Sequence, residues 1–261
     1  MSIIAPVPRK PTTPNSTRPG VLALFLASEL ELRALLRLRP GRAPRIPRWR
    51  LVPVRPGIEI CLTGIGKVNA AAAAASVLRP DYHAAAISIG IGGALPKGPN
   101  LCETIVATGC VWADEGVRTP GGFITCEELG FPVGPYRHGV VPVSRVLSKR
   151  MTLALRAKRG LIATVSTCSG DDALAADVAE RTRAKAEAME GAAVGHVAHA
   201  LGIPFAEVRV ISNTTGNRHA QEWRLKEALE VLGRAVVVLS EPGLGLTGEP
   251  RESRVPLSDR K

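Results

Sequence analysis

Residues 84–93 read Ala-Ala-Ala-Ile-Ser-Ile-Gly-Ile-Gly-Gly. The run Ala84–Ile89 is apolar at both odd and even positions, Ser88 excepted, which suits a strand covered on both faces. Gly90, Gly92 and Gly93 then read as a loop at the strand's carboxyl end, where backbone N–H groups approach an anion or a hydroxyl. The arrangement recurs. Gly64-Ile65-Gly66 follows the run Glu59–Thr63, and Ser169-Gly170 follows Leu161–Val165. Three such turns at one edge of one sheet predict a binding site there. They form neither a Walker loop nor a dinucleotide fingerprint, because Lys67 lacks the preceding spacing and GxGxxG never occurs.

Working outward, further apolar runs predict strands at Val21–Ala27, Glu103–Trp112, Ala186–Met189 and Phe205–Ser212. Between them lie helical stretches at Leu30–Leu38, Val68–Leu78, Val143–Ala157, Asp172–Arg183, Gly191–Leu201 and Trp223–Leu239. The alternation predicts an α/β fold, one domain over residues 20–240 with a mixed central β-sheet flanked by helices on both faces. The Ala-rich face of Val68–Leu78 lets that helix approach the sheet closely. Residues 1–19 hold five prolines among Thr, Ser and Asn, and 241–261 are rich in Gly, Pro and charge; both read as disordered.

With 45% apolar residues in 261, the chain is not globally disordered, and no apolar run reaches the roughly 18 residues of a membrane span. The formal charge of +11 is regional. Residues 1–57 carry eleven basic side chains against Glu29 and Glu31, or +9 of the total. Trp49 is the one aromatic in the Arg-rich stretch 33–55, so the alternation of cations and stacking rings used for single strands is missing and no nucleic-acid partner is expected. Five cysteines with no CxxC pair give neither a disulfide framework nor a zinc site. Val21–Ala27 reads as a first buried strand rather than a signal-peptide core, because Glu29–Arg33 follows at once. A cytoplasmic protein, with no metal and no cofactor, is the expectation.

Three polar residues stand at strand ends. Glu31 follows the first strand; taken alone, it fits a surface carboxylate as well as a functional one. Glu190 closes Ala186–Met189 among residues too small to shield it. Asn213 follows Val208–Ser212, where Asn is also a common turn former.

Here the residues resemble a family. Thr-Gly-Ile-Gly-Lys-Val-Asn-Ala (63–70), Gly-Ile-Gly-Gly-Ala-Leu (90–95), Ala-Met-Glu-Gly-Ala-Ala (188–193) and Val-Arg-Val-Ile-Ser-Asn (208–213) look like the nucleoside phosphorylase and nucleosidase superfamily, over about residues 21–240. Two stretches resemble its futalosine hydrolases of menaquinone biosynthesis: 113–123 with 128–132, and 211–229. The resemblance implies cleavage of the C1′–N9 bond of a purine nucleoside through an oxocarbenium-like sugar. It puts the sugar-binding methionine–glutamate pair at Met189 and Glu190, and the water-activating carboxylate at Glu31. Gly92 and Gly93 would line the pocket. Asn213 falls where methylthioadenosine nucleosidases keep an aspartic acid against N7; an amide offers a donor and an acceptor, which suits hypoxanthine rather than adenine as leaving base. Phosphorylases of the group place an arginine shortly before the Gly-rich segment. Here Ala85, Ala86, Ile87 and Ser88 supply no cation, so water is the expected nucleophile.

Phe123 is a candidate for packing against base or sugar, or a plain core residue. Arg218 either pairs with the carboxylate at the far end of the substrate or lies on a surface loop, and Arg209 is equally a structural ion-pair partner. A homodimer is expected from the resemblance. Three alternatives stay open: an adenine-releasing nucleosidase, a phosphate-dependent phosphorylase, and a nucleoside- or nucleic-acid-binding protein on an inactive scaffold.

Overall fold

The computed structural model describes residues 20–36 and 46–241. The two tails read as disordered, except Glu241, and part of the Arg-rich stretch lie outside the described residues. In chain order the strands and α-helices are β1 (Val21–Leu26), α1 (Glu29–Leu35), β2 (Leu51–Arg55), β3 (Ile58–Leu62), α2 (Lys67–Val77), β4 (His83–Ala94), β5 (Thr104–Trp112), β6 (Gly116–Thr119), β7 (Gly122–Thr125), β8 (Val140–Pro142), α3 (Arg145–Ala154), β9 (Lys158–Thr164), α4 (Asp172–Thr182), β10 (Ala184–Ala188), α5 (Gly191–Ala200), β11 (Phe205–Thr214) and α6 (Leu225–Leu239).

The main sheet runs β10-β9-β5-β11-β4-β1-β3-β2, with β8 beside β5. Its pairings are mixed: β1 lies parallel to β3 and β4, while β11 is parallel to β4 and antiparallel to β5. β10 also pairs back onto β4, through Ala186 with Ala94 and Glu187 with Gly93. Strands β4, β11, β5, β9 and β10 therefore close into a ring.

The closure depends on the length of β4. The stretch Gly90–Gly93, expected as a loop, lies inside this twelve-residue strand. Its first half pairs with β1; Gly93 and Ala94 reach β10 on one side and Asn213 and Thr214 of β11 on the other. Glycines are poor strand formers by propensity, but here neighbouring groups occupy the space that side chains would need. Phe205–Ser212 likewise continues to Thr214, so Asn213 lies in the strand with an irregularity before it.

Strict alternation sorts the core onto two faces. Ala23 and Phe25 of β1, Cys61 of β3 and Ala86 of β4 pack with α2 and α5. Leu22, Leu24 and Leu26, with Ile58 and Ile60, and Ile87 and Ile89, pack with α1, α3 and α6. Ala70, Ala73 and Ala74 of α2 are fully buried, and their small side chains allow the expected close approach. On β11 the first face carries Phe205 and Ile211, and Glu207 and Arg209 between them by alternation, so two charged residues point into the interior.

Several elements differ from the sequence expectation. The stretch Val143–Ala157 shortens to α3, and the strand expected at Leu161–Val165 begins earlier, at Lys158, as β9. α6 begins at Leu225 rather than Trp223, because Trp223 bridges to Asn213. Strands β2, β8 and the hairpin β6–β7 were not anticipated. β2 contains Pro53 and ends the sheet, the position a strand proline tolerates.

Leu232, fully buried on α6, anchors that helix to the sheet. Leu232→Ala is expected to lower stability by about 2–5 kcal/mol in urea denaturation. Leu153→Ala, at a 70% exposed position of α3, is expected to stay within about 0.5 kcal/mol.

Candidate active site

The site is built around one buried cation. Arg209 is 2% exposed, in the middle of β11. Its Nε donates to Glu207 at 2.8 Å, its Nη2 to the Ser88 hydroxyl at 2.8 Å, and its Nη1 to the Ile91 carbonyl at 3.4 Å. Nη2 also lies 3.3 Å from Glu190. Burial alone would lower the pKa of Arg209, but the charges of Glu207, Glu190 and Glu31 outweigh it and push it up.

Glu31 reaches this cation from α1. Ser28 caps that helix and Glu31 closes the capping box: the Ser28 N–H and hydroxyl both donate to Glu31 Oε2 at 2.9 Å. Oε1 accepts from the Ile91 N–H at 2.9 Å. Gly90 makes room for the approach, since a Cβ there would overlap the Glu31 carboxylate and lie 2.7 Å from Arg209 Nη1. Burial pushes the Glu31 pKa up; Arg209, the Ile91 N–H and Ser28 oppose the rise, and Glu190 adds to it.

Glu190 stands at the N-terminal cap position of α5, just after β10. Its Oε1 accepts from the Gly66 N–H at 3.0 Å, which brings the turn Gly64–Gly66 into the site. At the opposite end Asn213 pairs with Gly93 across the strands. Its amide oxygen accepts from the Ser212 hydroxyl at 2.8 Å, and its nitrogen donates to the Thr214 carbonyl at 2.9 Å, which leaves one N–H and one lone pair free of these bonds.

The structure thus brings Glu31, Glu190, Gly92, Gly93 and Asn213 together at one mouth of the ring. Met189 packs beside Leu95, Ala113 and Val165. Arg218 stacks on Trp223 at 4.9 Å and donates to Gln221, while its backbone N–H bonds the Gly170 carbonyl. Phe123 lies on β7 with Arg181 at 4.2 Å and Arg118 at 5.5 Å from its ring centre, so its faces meet guanidinium groups. Neither Phe123 nor any of the carboxylates around Arg209 lines the cavity of about 630 Å³ between Trp112, Tyr136 and Arg181.

Sequence reasoning left three residues out of the site. Arg209 was one of two readings; the clue was a cation in an otherwise apolar strand facing inward. Glu187, 4% exposed, bonds the Ser169 N–H at 2.8 Å and hydroxyl at 2.6 Å. Asp114 accepts from Lys67 and from the Ser166 N–H at 2.6 Å, tying α2 to the loop after β9. A cation does stand beside the segment Ala85–Ser88, contrary to the expectation from β4 alone: it comes from the neighbouring strand, and three carboxylates already match it.

The fold and this cluster of carboxylates place the protein in a known class. Residues 22–241 match the phosphorylase superfamily, and the chain belongs to it. The futalosine hydrolase of Thermus thermophilus is 38% identical over 188 residues, covering 69% of this chain and 80% of that protein. The futalosine hydrolase of Streptomyces coelicolor is 35% identical over 204 residues, covering 76% and 84%. Within the superfamily the chain falls with the futalosine hydrolases. A solved futalosine hydrolase mutant of Helicobacter pylori shares the fold, with a TM-score of 0.67 at 20% identity, covering 84% of this chain and 98% of that one.

Arg209→Met would leave Glu207, Glu190 and Glu31 buried without their cation. A loss of about 3–5 kcal/mol in urea denaturation at neutral pH is expected. Burial already raises the pKa of Glu31 and Arg209 opposes the rise, so without the cation Glu31 titrates higher still in the folded chain, and the deficit should grow as pH rises and shrink on acidification.

Proposed function

We propose that this protein hydrolyses the N-glycosidic bond of futalosine, releasing hypoxanthine and dehypoxanthinyl futalosine, a step of menaquinone biosynthesis. The observation that carries the reading is the convergence of Glu31 and Glu190 on Arg209. Glu190, anchored by the Gly66 N–H, accepts hydrogen bonds from the sugar 2′- and 3′-hydroxyls, and these strengthen as positive charge grows at C1′. Glu31 orients the attacking water and takes its proton. Burial raises its pKa toward the working pH, which favours a general base. Asn213 holds the base edge with Gly92 and Gly93 beside it, and Met189 supports the sugar end. Arg218, in a loop bonded to Ser169 and Gly170, is the cation assigned to the substrate carboxylate. Phe123 is kept as a residue of the substrate's surroundings.

Water is preferred to phosphate because the guanidinium that reaches the cluster is already paired. The decisive assay incubates the protein with futalosine, with and without phosphate, and identifies the products by chromatography. Hypoxanthine release independent of phosphate is expected; a phosphate-dependent sugar phosphate would overturn hydrolysis. Release of adenine from aminofutalosine in preference would favour the other nucleosidase reading.

Glu31→Gln is expected to lower kcat by about 10²–10⁴-fold. A base must be ionised, so with the Glu31 pKa raised, kcat/KM of the wild type should fall on acidification at a pH above the ordinary carboxylate value. A pH–rate profile measures this, and Glu31→Gln should lack that limb.

The enzyme is further proposed to be a cytoplasmic homodimer. Val68 in the first turn of α2 and Ile65 in the turn before it, 83% and 60% exposed, offer apolar surface close to the site. Sedimentation at twice the 27.5 kDa chain mass is the expected result.

A further inference from the structure

The proposed cleavage leaves one proton unaccounted for. As the C1′–N9 bond breaks, its electron pair goes to the purine, and the base departs most readily as a neutral molecule protonated at N7. Asn213 cannot provide that proton, because an amide donates a hydrogen bond without releasing the hydrogen. Glu31 is engaged with the water, and Glu190 with the sugar and Arg209.

Glu187 stands directly across from Asn213. Gly93 pairs with Glu187 of β10 on one side and with Asn213 of β11 on the other, so the three positions form one row across the ring. A Cβ at Gly93 would come within 2.9 Å of the Thr215 methyl, 3.3 Å of the Asn213 amide nitrogen and 3.5 Å of Glu187 Cγ. The side chains of Glu187, Asn213 and Thr215 therefore gather on the one face of Gly93. The carboxyl belongs to the site in a second respect: Cys168 feels the charges of both Glu187 and Glu190, with Arg218 and Asp114 beside it.

We propose that Glu187 is the general acid of the glycosidic cleavage, protonating N7 of the leaving purine held at Asn213, in the same cross-strand row; the assignment rests on the function proposed above. Among the described residues no ion pair ties Glu187 to a Lys, Arg or His, in contrast to Glu190 and Glu207. Its anchors are the Ser169 N–H and hydroxyl. Burial raises its pKa, Asp114 adds to the rise, and the two Ser169 bonds oppose it, which favours a carboxyl that still carries its proton. The protons balance. Glu187 gives its proton to N7 as C1′–N9 breaks, and neutral hypoxanthine leaves. Water adds to C1′ and gives a proton to Glu31. Solvent then removes the proton from Glu31 and restores one to Glu187, for a net addition of one water.

The alternative is that Glu187 merely anchors the loop at Ser169. The two roles differ in their dependence on the leaving group. Glu187→Gln is assayed on futalosine, on futalosine methylated at N7 and on 4-nitrophenyl β-D-ribofuranoside; the last two leave without a proton from the enzyme. An acid role predicts a fall in kcat of about 10²–10⁴-fold on futalosine and less than about tenfold on whichever activated substrate the wild type turns over. Ser169→Ala, which removes half of the anchor and keeps the carboxyl, should retain most of the futalosine activity. Equal losses on all substrates, undiminished futalosine turnover in Glu187→Gln, or a Ser169→Ala loss as deep as that of Glu187→Gln would each overturn the assignment. Wild-type protein that leaves futalosine intact would instead remove the parent reading, whatever Glu187 does.

Discussion

A guanidinium buried in a closed ring of strands cannot exchange its hydration for apolar contact without a large cost. Arg209 is in that position, and the architecture around it follows from satisfying it. Glu207 comes from its own strand, Glu190 from the start of α5 and Glu31 from α1, while Ser88 interrupts an otherwise apolar stretch of β4 to offer a hydroxyl. These groups are far apart in the chain. Meeting at one cation fixes how the first helix, the fifth helix and the central strands sit relative to one another. Gly90 belongs to the same constraint, because the Glu31 carboxylate, whose charge is felt by Arg209, uses the space a side chain would fill.

The cluster is also unbalanced. Three carboxylates share one cation, so with all of them ionised the site holds an excess of negative charge. In water that would matter little; in the ring, burial is what raises the pKa of Glu31, with Glu190 adding to the rise and Arg209 opposing it. For the proposed reaction this imbalance is useful. The ground-state sugar is neutral and its transition state is cationic, so a fixed negative field stabilises the second over the first.

The sequence made the periodic features legible and concealed the ones that depend on pairing. Runs such as Val21–Leu26 announce themselves because both faces of the strand are covered. Glu190 and Glu31 were legible through motif resemblance, and the structure shows what holds them: a backbone N–H of Gly66 and a capping box. The return of β10 onto β4 was hidden, since Ala-Lys-Ala-Glu-Ala gives no sign of a second partner, and with it went the row that places Glu187 opposite Asn213. The glycines of β4 misled for a related reason. Their local preference is for turns, and only the neighbouring Glu31 and Arg209 show why a strand would keep them. Phe123 and Arg218 mark the limit of reading long side chains by position: their rings and guanidinium groups engage close neighbours that spacing does not reveal.

The chain's +11 gives the wrong impression of the site's own charge. Glu31, Glu187 and Glu190 gather at the mouth of the ring, and Asp114 is close enough to be felt by Glu187 and Cys168. Lys67 faces Asp114 and Glu115, and Arg209 is matched several times over. A phosphate seeking C1′ from this side would meet carboxylates whose cations are already engaged. Two like unit charges 4 Å apart repel by about 4 kcal/mol at an effective dielectric constant near 20. One such contact would disfavour phosphate by about a thousandfold or more, and water incurs no such penalty. Selection of the nucleophile therefore follows from a charge imbalance within a few ångströms.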